Sequence, residues 1–424
     1  MNIEISRLSN GLTVVTDPMA NLESAALGVW VSTGSRNELP PEMGLSHMLE
    51  HMAFKGTTSR SARQIAEEIE AVGGYLNAYT SREQTAFHAR VLKNDVALGL
   101  DIIADILVSP TYDGGELERE RQVVLQELGQ ARDTPDDIIF DHLQSVIYKG
   151  QPLGWAILGE EATVSAFTPH ALRDYSGRQY RADAMTLVSS GAVSHREIVA
   201  LAEEKFARLA TGAAGQTPSA RYVGGDIRVE EDLEQAHIVY AFPGVAANDG
   251  DFYVAQLHAM VLGGGMSSRL FQEVREKRGL CYSIYAFTNN FQDTGFTGIH
   301  AGTGEKEAGE LSGVIAGEME AMTAMISEAE LARAKAQLKS GLLMGLERPG
   351  TRAEQIAGQI FTFGRVQSVA EIVGQIEAVD AAALKRYAAR IMTTPSMAAV
   401  GPVKALERHD VFAARFARGR EAAE

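Results

Sequence analysis

The chain has 424 residues, a formal net charge of −16 and a single cysteine, Cys281. That length corresponds to roughly two to four domains, and the composition, with 45% apolar and 22% charged residues, is ordinary for a globular protein. One cysteine cannot form an internal disulfide, which excludes a disulfide-stapled scaffold and favours a cytoplasmic location. The acidic excess argues against nucleic acid as a partner. No apolar run approaches the roughly 18 residues of a membrane span, and no secretory signal pattern is visible.

The predicted elements of the first half begin with two strands, one from Gly11 and one from Ser24, where β-branched and alternating apolar residues dominate. A helix follows at Ser61–Val72, because Ser61 and Gln64 form a capping box and two glycines end the helix. Residues 75–80 and 84–91 predict a β-hairpin. Helical spacing then predicts helices at Asn94–Leu107, after Gly115 and at Asp136–Ile147, and the second half has predicted strands near 235–242, 280–289 and 294–303.

The two halves of the chain resemble each other. The segment 171–175, ALRDY, is matched by ALKRY at 383–387, a shift of 212 residues, and three further matches at nearly the same shift indicate an internal duplication. Between the halves lies a segment rich in small residues, 210–226, which predicts a linker. The sequence therefore predicts an N-terminal domain at 1–209 and a C-terminal domain at 227–424. Each is expected to be an α+β domain in which helices cover one face of a mostly antiparallel sheet.

A candidate metal site lies in the segment GLSHMLEHMAFKGT, where His47, Glu50 and His51 are spaced H-x-x-E-H. Positions i and i+4 share one face of a helix, so both imidazoles can bind the same ion. Glu50 lies beside that face and can reach a water on the metal without being a ligand, as a general base must. This spacing is the inverse of the H-E-x-x-H motif of other zinc peptidases. The alternative is a helix whose two histidines have no metal-binding role.

A catalytic zinc ion needs a third protein ligand and keeps a fourth position for water. The sequence offers other histidines, Cys281 in the other half, or a carboxylate of the helical run ELERERQVVLQEL. In that run Glu120 and Glu127 are seven residues apart and share one helix face. Spacing does not choose between the acidic residues of the run, Glu116, Glu118, Glu120 and Glu127.

The motif HMLEHMAFKGT, followed by Glu127 and combined with two homologous halves, resembles the pitrilysin and insulysin superfamily of inverted-motif zinc peptidases. Within it, the resemblance is greatest to the β-subunit of the mitochondrial processing peptidase and its bacterial relatives, and it covers the whole chain. It implies the processing-peptidase (LuxS-like metallohydrolase) fold and a Zn²⁺ cofactor. It also implies His47, His51 and Glu127 as metal ligands, Glu50 as the base that activates the zinc-bound water, and Glu120 as a supporting carboxylate.

The resemblance also implies where a substrate lies. The segment GGYLNAYTS resembles an edge strand to which the peptide adds by main-chain hydrogen bonds, with Asn77 and Ala78 beside the scissile bond. In the second half, the helix through 257–262 has one histidine and no glutamate, so this copy lacks the metal ligands. Arg275 and Tyr282 resemble the pair with which the non-catalytic half of such peptidases reaches the scissile carbonyl. A chain with both sets implies a homodimer that shares its sites.

The predicted function is a zinc-dependent endopeptidase that hydrolyses extended, unstructured peptides in an enclosed chamber, basic peptides among them because the chain is acidic. The alternative is a non-catalytic structural or assembly subunit of the same family; such subunits have eroded zinc motifs. A smaller inverted-motif enzyme of the S-ribosylhomocysteinase type fits less well, because it uses a cysteine ligand. By ligand type alone, manganese or cobalt would also fit the site.

Overall fold

The computed structural model describes residues 3–417. The strands, in chain order, are β1 Glu4–Arg7, β2 Thr13–Pro18, β3 Ser24–Val31, β4 Tyr75–Thr80, β5 Thr85–Leu92, β6 Met185–Gly191, β7 Asp226–Glu230, β8 Ala236–Pro243, β9 Cys281–Asn290, β10 Gly295–Thr303 and β11 Ser396–Gly401. The α-helices are α1 Leu45–Ala53, α2 Ala62–Ala71, α3 Val96–Val108, α4 Gly114–Arg132, α5 Pro135–Ile147, α6 Glu161–Ala166, α7 Pro169–Gln179, α8 His195–Lys205, α9 Phe252–Gly263, α10 Ala308–Ala324, α11 Glu328–Gly345, α12 Pro349–Phe363, α13 Val369–Ala378, α14 Ala381–Ile391 and α15 His409–Ala417. A π-helical turn spans Phe271–Glu276.

The chain forms two compact units, and each contains a helix from the other half of the sequence. Unit 1 comprises the chain as far as Gln130 together with Trp155–Pro218 and Leu343–Val366, which brings in α12. Unit 2 comprises Ala131–Gly154, which brings in α5, together with Ser219–Leu342 and the chain from Gln367 onward. The predicted consecutive ranges therefore omit one helix from each unit. Hydrophobic spacing shows that a helix has an apolar face, but it does not show which sheet that face will cover.

Unit 1 is built on a six-stranded sheet in the order β1-β2-β6-β3-β5-β4, antiparallel except for the parallel pair β2–β6. Successive strand residues point to opposite faces. On one face Val14, Leu27 and Leu187 join a large core that includes residues of α3 and α8. The other face, called here the outer face, is lined by Val15, Trp30 and Val188 and is covered by Ala353, Ile356 and Ala357 of α12.

Unit 2 repeats this design on a five-stranded sheet in the order β7-β11-β8-β10-β9, with β7–β11 as the parallel pair. Ile238 and Tyr240 face the main core beneath α9, α10 and α14. Val239 and Ala241, which alternate with them, pack against Ile139 and Leu143 of α5. Both faces of β8 are thus buried, which explains its near-continuous run of apolar residues.

The predicted α+β fold of two homologous domains is confirmed, with one addition: each sheet is also covered on its second face by a single helix. The predicted hairpin at 75–80 and 84–91 corresponds to β4 and β5, and Ser61 caps α2 through the Gln64 amide. The short strands β1 and β7 were not predicted; β7 begins at the end of the predicted linker. Among residues 3–417, no helix has both the length and the apolar content needed to cross a bilayer.

Candidate metal centre

Helix α1 supplies two of the candidate ligands. Its buried side chains, Leu45, Met48, Leu49 and Met52, pack in a cluster with Leu117, Val124 and Leu128 of α4. The opposite side of α1 carries His47 and His51, whose ring centroids lie 4.6 Å apart. The apolar face therefore fixes α1 against α4 and leaves the two imidazoles together on the remaining face.

Glu127 of α4 lies opposite these two histidines. Its Oε2 is 3.7 Å from His47 Nε2 and 3.4 Å from His51 Nε2. One ligand atom from each of the three residues lies within 4.8 Å of the others, and this is the one such metal-binding group found in residues 3–417. Burial, with a contribution from His51, lowers the pKa of His47 to about 4, so its imidazole is neutral and keeps a lone pair for coordination. Two imidazoles and one carboxylate suit a zinc ion with an open fourth position.

Glu120 does not contact the candidate metal position but orients one of its ligands. Its Oε2 lies 3.0 Å from His51 Nδ1, and its Oε1 lies 2.7 Å from Lys55 Nζ. A bond from Nδ1–H to a carboxylate leaves Nε2 of His51 free for a metal ion. Lys55 was not singled out from the sequence; it lies just beyond the end of α1, where helical spacing no longer applies.

Glu50 lies beside the ligand cluster and contacts strand β4. The Thr80 hydroxyl donates to Glu50 Oε2 at 2.6 Å. Burial raises the pKa of Glu50, while the Thr80 bond and the neighbouring His51 act in the opposite direction. A raised pKa makes this carboxylate a better proton acceptor than an exposed one, which is the property a general base requires.

A buried glutamate that sequence analysis missed, Glu38, holds the beginning of α1. Its two oxygens accept the Gly44 N–H at 2.9 Å and the Ser46 N–H at 2.7 Å, and the side chain is buried. Amides at a helix N-terminus have no partner within the helix, so the carboxyl oxygens of Glu38 satisfy them and fix the helix position. No spacing rule identifies Glu38, because it belongs to an irregular segment upstream of α1.

The two residues predicted to contact substrate lie on an exposed sheet edge. Strand β4 is the last strand of the unit 1 sheet, and within residues 3–417 it pairs only with β5. The Asn77 side chain is exposed; its Oδ1 accepts the Ala78 N–H at 2.9 Å, and its Nδ2 donates to the Tyr75 hydroxyl at 2.6 Å. The Ala78 methyl group packs into the core. As an edge strand, β4 can accept an additional strand, except that Asn77 Oδ1 occupies the Ala78 N–H.

Arg275 and Tyr282 lie in unit 2, where the structure brings them together. Arg275 belongs to the π-helical turn, and its guanidinium lies 5.1 Å from the centre of the Tyr282 ring. Tyr282 is 76% exposed although it is a large aromatic residue. The neighbouring Cys281 is buried, and burial raises the pKa of its thiol to about 11. A protonated, buried thiol is chemically inert, and Cys281 does not belong to the ligand cluster of His47, His51 and Glu127.

Comparison with known proteins places the chain in a family. A sequence model described as insulinase (peptidase family M16) matches residues 13–161, and one described as the peptidase M16 inactive domain matches residues 166–338. A Rickettsia felis protein described as an uncharacterized zinc protease is 40% identical over 383 residues, which cover 89% of this chain and 93% of that protein. The chain belongs to peptidase family M16. A probable mitochondrial-processing peptidase subunit beta of Arabidopsis thaliana is 35% identical to this M16 chain, over 97% of it and 80% of the relative.

Solved structures agree with the fold of this M16 chain. A protease from Helicobacter pylori superimposes with a TM-score of 0.87 at 22% identity, covering 95% of this chain and 99% of the other. A Pseudomonas fluorescens structure described as a peptidase M16 inactive domain gives a TM-score of 0.88 at 20% identity. The predicted superfamily is confirmed, and the ligand cluster lies in the part that the first M16 sequence model matches.

Proposed function

We propose that this M16 protein is a zinc metalloendopeptidase that hydrolyses extended peptides. The observation that carries the proposal is the proximity of three groups in unit 1: the cluster of His47, His51 and Glu127, the carboxylate of Glu50, and the open edge of β4. Zn²⁺ is the cofactor that the donor set suits and that the zinc protease relatives indicate. When bound, the ion supplies Lewis acidity, which polarises a peptide carbonyl and makes water more acidic.

Glu50 is the residue that moves the proton. Its carboxylate takes a proton from the attacking water and delivers it to the nitrogen of the leaving amine. The hydrogen bond from Thr80 holds one of its oxygens, Oε2, so the other is free for this transfer. His51 is held by Glu120 and so keeps its Nε2 oriented toward the metal position.

Strand β4 is the proposed site of substrate binding. A peptide that adds to this edge gains main-chain hydrogen bonds that do not depend on its side chains, so an unstructured segment binds more readily than a folded one. Because Asn77 Oδ1 occupies the Ala78 N–H, a substrate carbonyl must displace this side chain to pair there. The net charge of −16 favours basic peptides.

Arg275 and Tyr282 are proposed to donate hydrogen bonds to the oxyanion that forms during attack, since both an Arg and a phenol are donors. A homodimer could form each site from unit 1 of one chain and unit 2 of the other. In that arrangement, mixing Arg275→Ala chains with Glu50→Gln chains restores part of the activity through heterodimers that contain one intact site. Mixtures as inactive as either variant alone contradict the shared-site arrangement. The enclosed chamber and the cytoplasmic location stay predictions.

The proposed function is tested with an unstructured peptide library, in the presence and absence of a metal chelator, with the wild-type chain and Glu50→Gln. Loss of a general base lowers the rate by about 10²–10⁴-fold. Glu50→Gln should therefore lose activity while it still binds zinc, and the exposed Glu118→Gln on α4 serves as the control. Cleavage that survives both treatments refutes the mechanism. Zinc binding by the wild-type chain without cleavage of any peptide favours the non-catalytic subunit instead.

A further inference from the structure

Glu354 extends from α12 to the hairpin that includes the candidate substrate strand. Its carboxylate accepts three hydrogen bonds: from Trp30 Nε1 at 3.0 Å, from Gln84 Nε2 at 3.2 Å, and from the Tyr79 hydroxyl. Gln84 Nε2 also lies 2.9 Å from the Tyr79 hydroxyl, so the side chains form one connected group. Three donors on one carboxylate are a costly arrangement to lose, because hydrogen bonds to charged groups are stronger than those between neutral groups.

The contact with Tyr79 fixes the end of β4 nearest the general base. Tyr79 packs on the outer face of the sheet, whereas Thr80, the next residue, donates to Glu50 Oε2 at 2.6 Å. Neighbouring strand residues point to opposite faces, so a shift at one moves the other. As an edge strand, β4 has a partner on one side only, and its position depends on such side-chain anchors.

We propose that Glu354 is a positioning residue for peptide hydrolysis, acting through Tyr79 and Thr80 to hold Glu50 in place. The inference rests on the proposed peptidase function. It assigns a role in the reaction to the C-terminal half of the sequence, through a residue that touches neither the metal ligands nor Glu50. The same contact presents the β4 edge in one position to an incoming peptide.

Docking of α12 onto unit 1 does not depend on Glu354 alone, so its removal can be separated from the removal of the helix. Ala353, Ile356 and Ala357 pack in the cluster on the outer face. A buried ion pair joins Arg352 to Asp17 of β2. Ile356→Val weakens this apolar docking and leaves the Glu354 bonds intact, which makes it the matched control.

The first test measures steady-state kinetics of the zinc-loaded protein on the best peptide of the library. Glu354→Gln keeps the size of the side chain but replaces one acceptor oxygen by a donor, and Tyr79→Phe removes only the hydroxyl. Each variant should lower kcat about tenfold with KM changed less than about twofold, the loss expected for one strong hydrogen bond. Thr80→Val should give the same defect. The double variant Glu354→Gln/Thr80→Val should have a kcat at most about twofold lower than that of Thr80→Val alone, because the effects of substitutions at coupled residues are not additive.

The second test uses hydrogen–deuterium exchange of the metal-free protein, which requires no activity. Residues 75–80 should exchange faster in Glu354→Gln and Tyr79→Phe than in the wild type, and at the wild-type rate in Ile356→Val. Unchanged exchange of this segment in both variants overturns the proposal. So does an equal loss of kcat in Ile356→Val, or an effect of Glu354→Gln confined to KM. These outcomes leave the peptidase function standing, whereas a wild-type chain that cleaves nothing overturns the function itself.

Discussion

Replacement of Glu120 by Gln tests how the metal site is held together. The Glu120 carboxylate has two charge-assisted contacts, 3.0 Å to His51 Nδ1 and 2.7 Å to Lys55 Nζ. A glutamine has one acceptor oxygen, so its NH₂ group must face one of these two donors. One such bond is worth about 1.5–3 kcal/mol, and loss of a partner behind a ligand histidine lowers metal affinity about 10–100-fold, which is about 1.4–2.8 kcal/mol. The free energy of the lost hydrogen bond and the free energy calculated from the loss of metal affinity therefore have the same magnitude.

The assay is competition for zinc between the metal-free protein and a chromophoric chelator, with circular dichroism to show that the fold persists. Glu120→Gln should raise the zinc Kd about 10–100-fold. Lys55→Met should raise it less, because the bond between Glu120 and His51 remains. Glu118→Gln, on the exposed side of the same helix with its carboxylate 65% exposed, should leave the Kd unchanged. A Glu120→Gln Kd within twofold of the wild-type value refutes the orienting role of this carboxylate.

Two predictions concern stability. Burial raises the pKa of Glu38 from 4.5 to about 8, against the effect of its two backbone donors, so the folded state holds a proton that the unfolded state releases. The contribution of Glu38 to stability is therefore full below about pH 4.5 and is lost as the pH rises to about 8. In urea unfolding, the free energy of unfolding of Glu38→Gln should decline less between these pH values than that of the wild type. An identical pH dependence of the wild type and Glu38→Gln refutes the assignment. Leu143→Ala in α5, at a fully buried position, should lower the free energy of unfolding by about 2–5 kcal/mol. The exposed Ser145→Ala of the same helix should change it by less than about 0.5 kcal/mol, and equal effects contradict the placement of α5 against the unit 2 sheet.

Much of the candidate site follows from local sequence rules. The pairing of His47 with His51 needs only helical periodicity, and the β4–β5 hairpin needs only alternation and a turn. The proximity of Glu127 depends on how α4 packs against α1, and the sequence left four glutamates of that helix open until the family resemblance selected one. The contact of Thr80 with Glu50 joins a strand to a helix, which no spacing rule describes.

The contacts that were missed all depend on irregular or distant segments. Glu38 reaches the start of α1 from a loop, and Lys55 acts at the end of α1 through the side chain of Glu120. Glu354 is separated from Tyr79 by most of the chain. The assignment of α5 to unit 2 and of α12 to unit 1 was missed for the same reason. The sequence of an amphipathic helix shows that one of its faces must be covered, but only the tertiary structure shows which sheet covers it.

Because α12 belongs to unit 1 although it comes late in the sequence, it also affects when unit 1 can be completed during synthesis. A ribosome releases His47, His51 and Glu127 long before it reaches Pro349–Phe363, the helix that covers the outer face of unit 1. Until then Trp30 and Val188 have no cover in unit 1, and the carboxylate that anchors β4 does not yet exist. Domains of large proteins ordinarily fold in N-terminal order as they emerge. Here the metal-binding unit is complete only after Pro349–Phe363 has been synthesised, so the candidate metal site gains its full structural support much later than its own ligands are made.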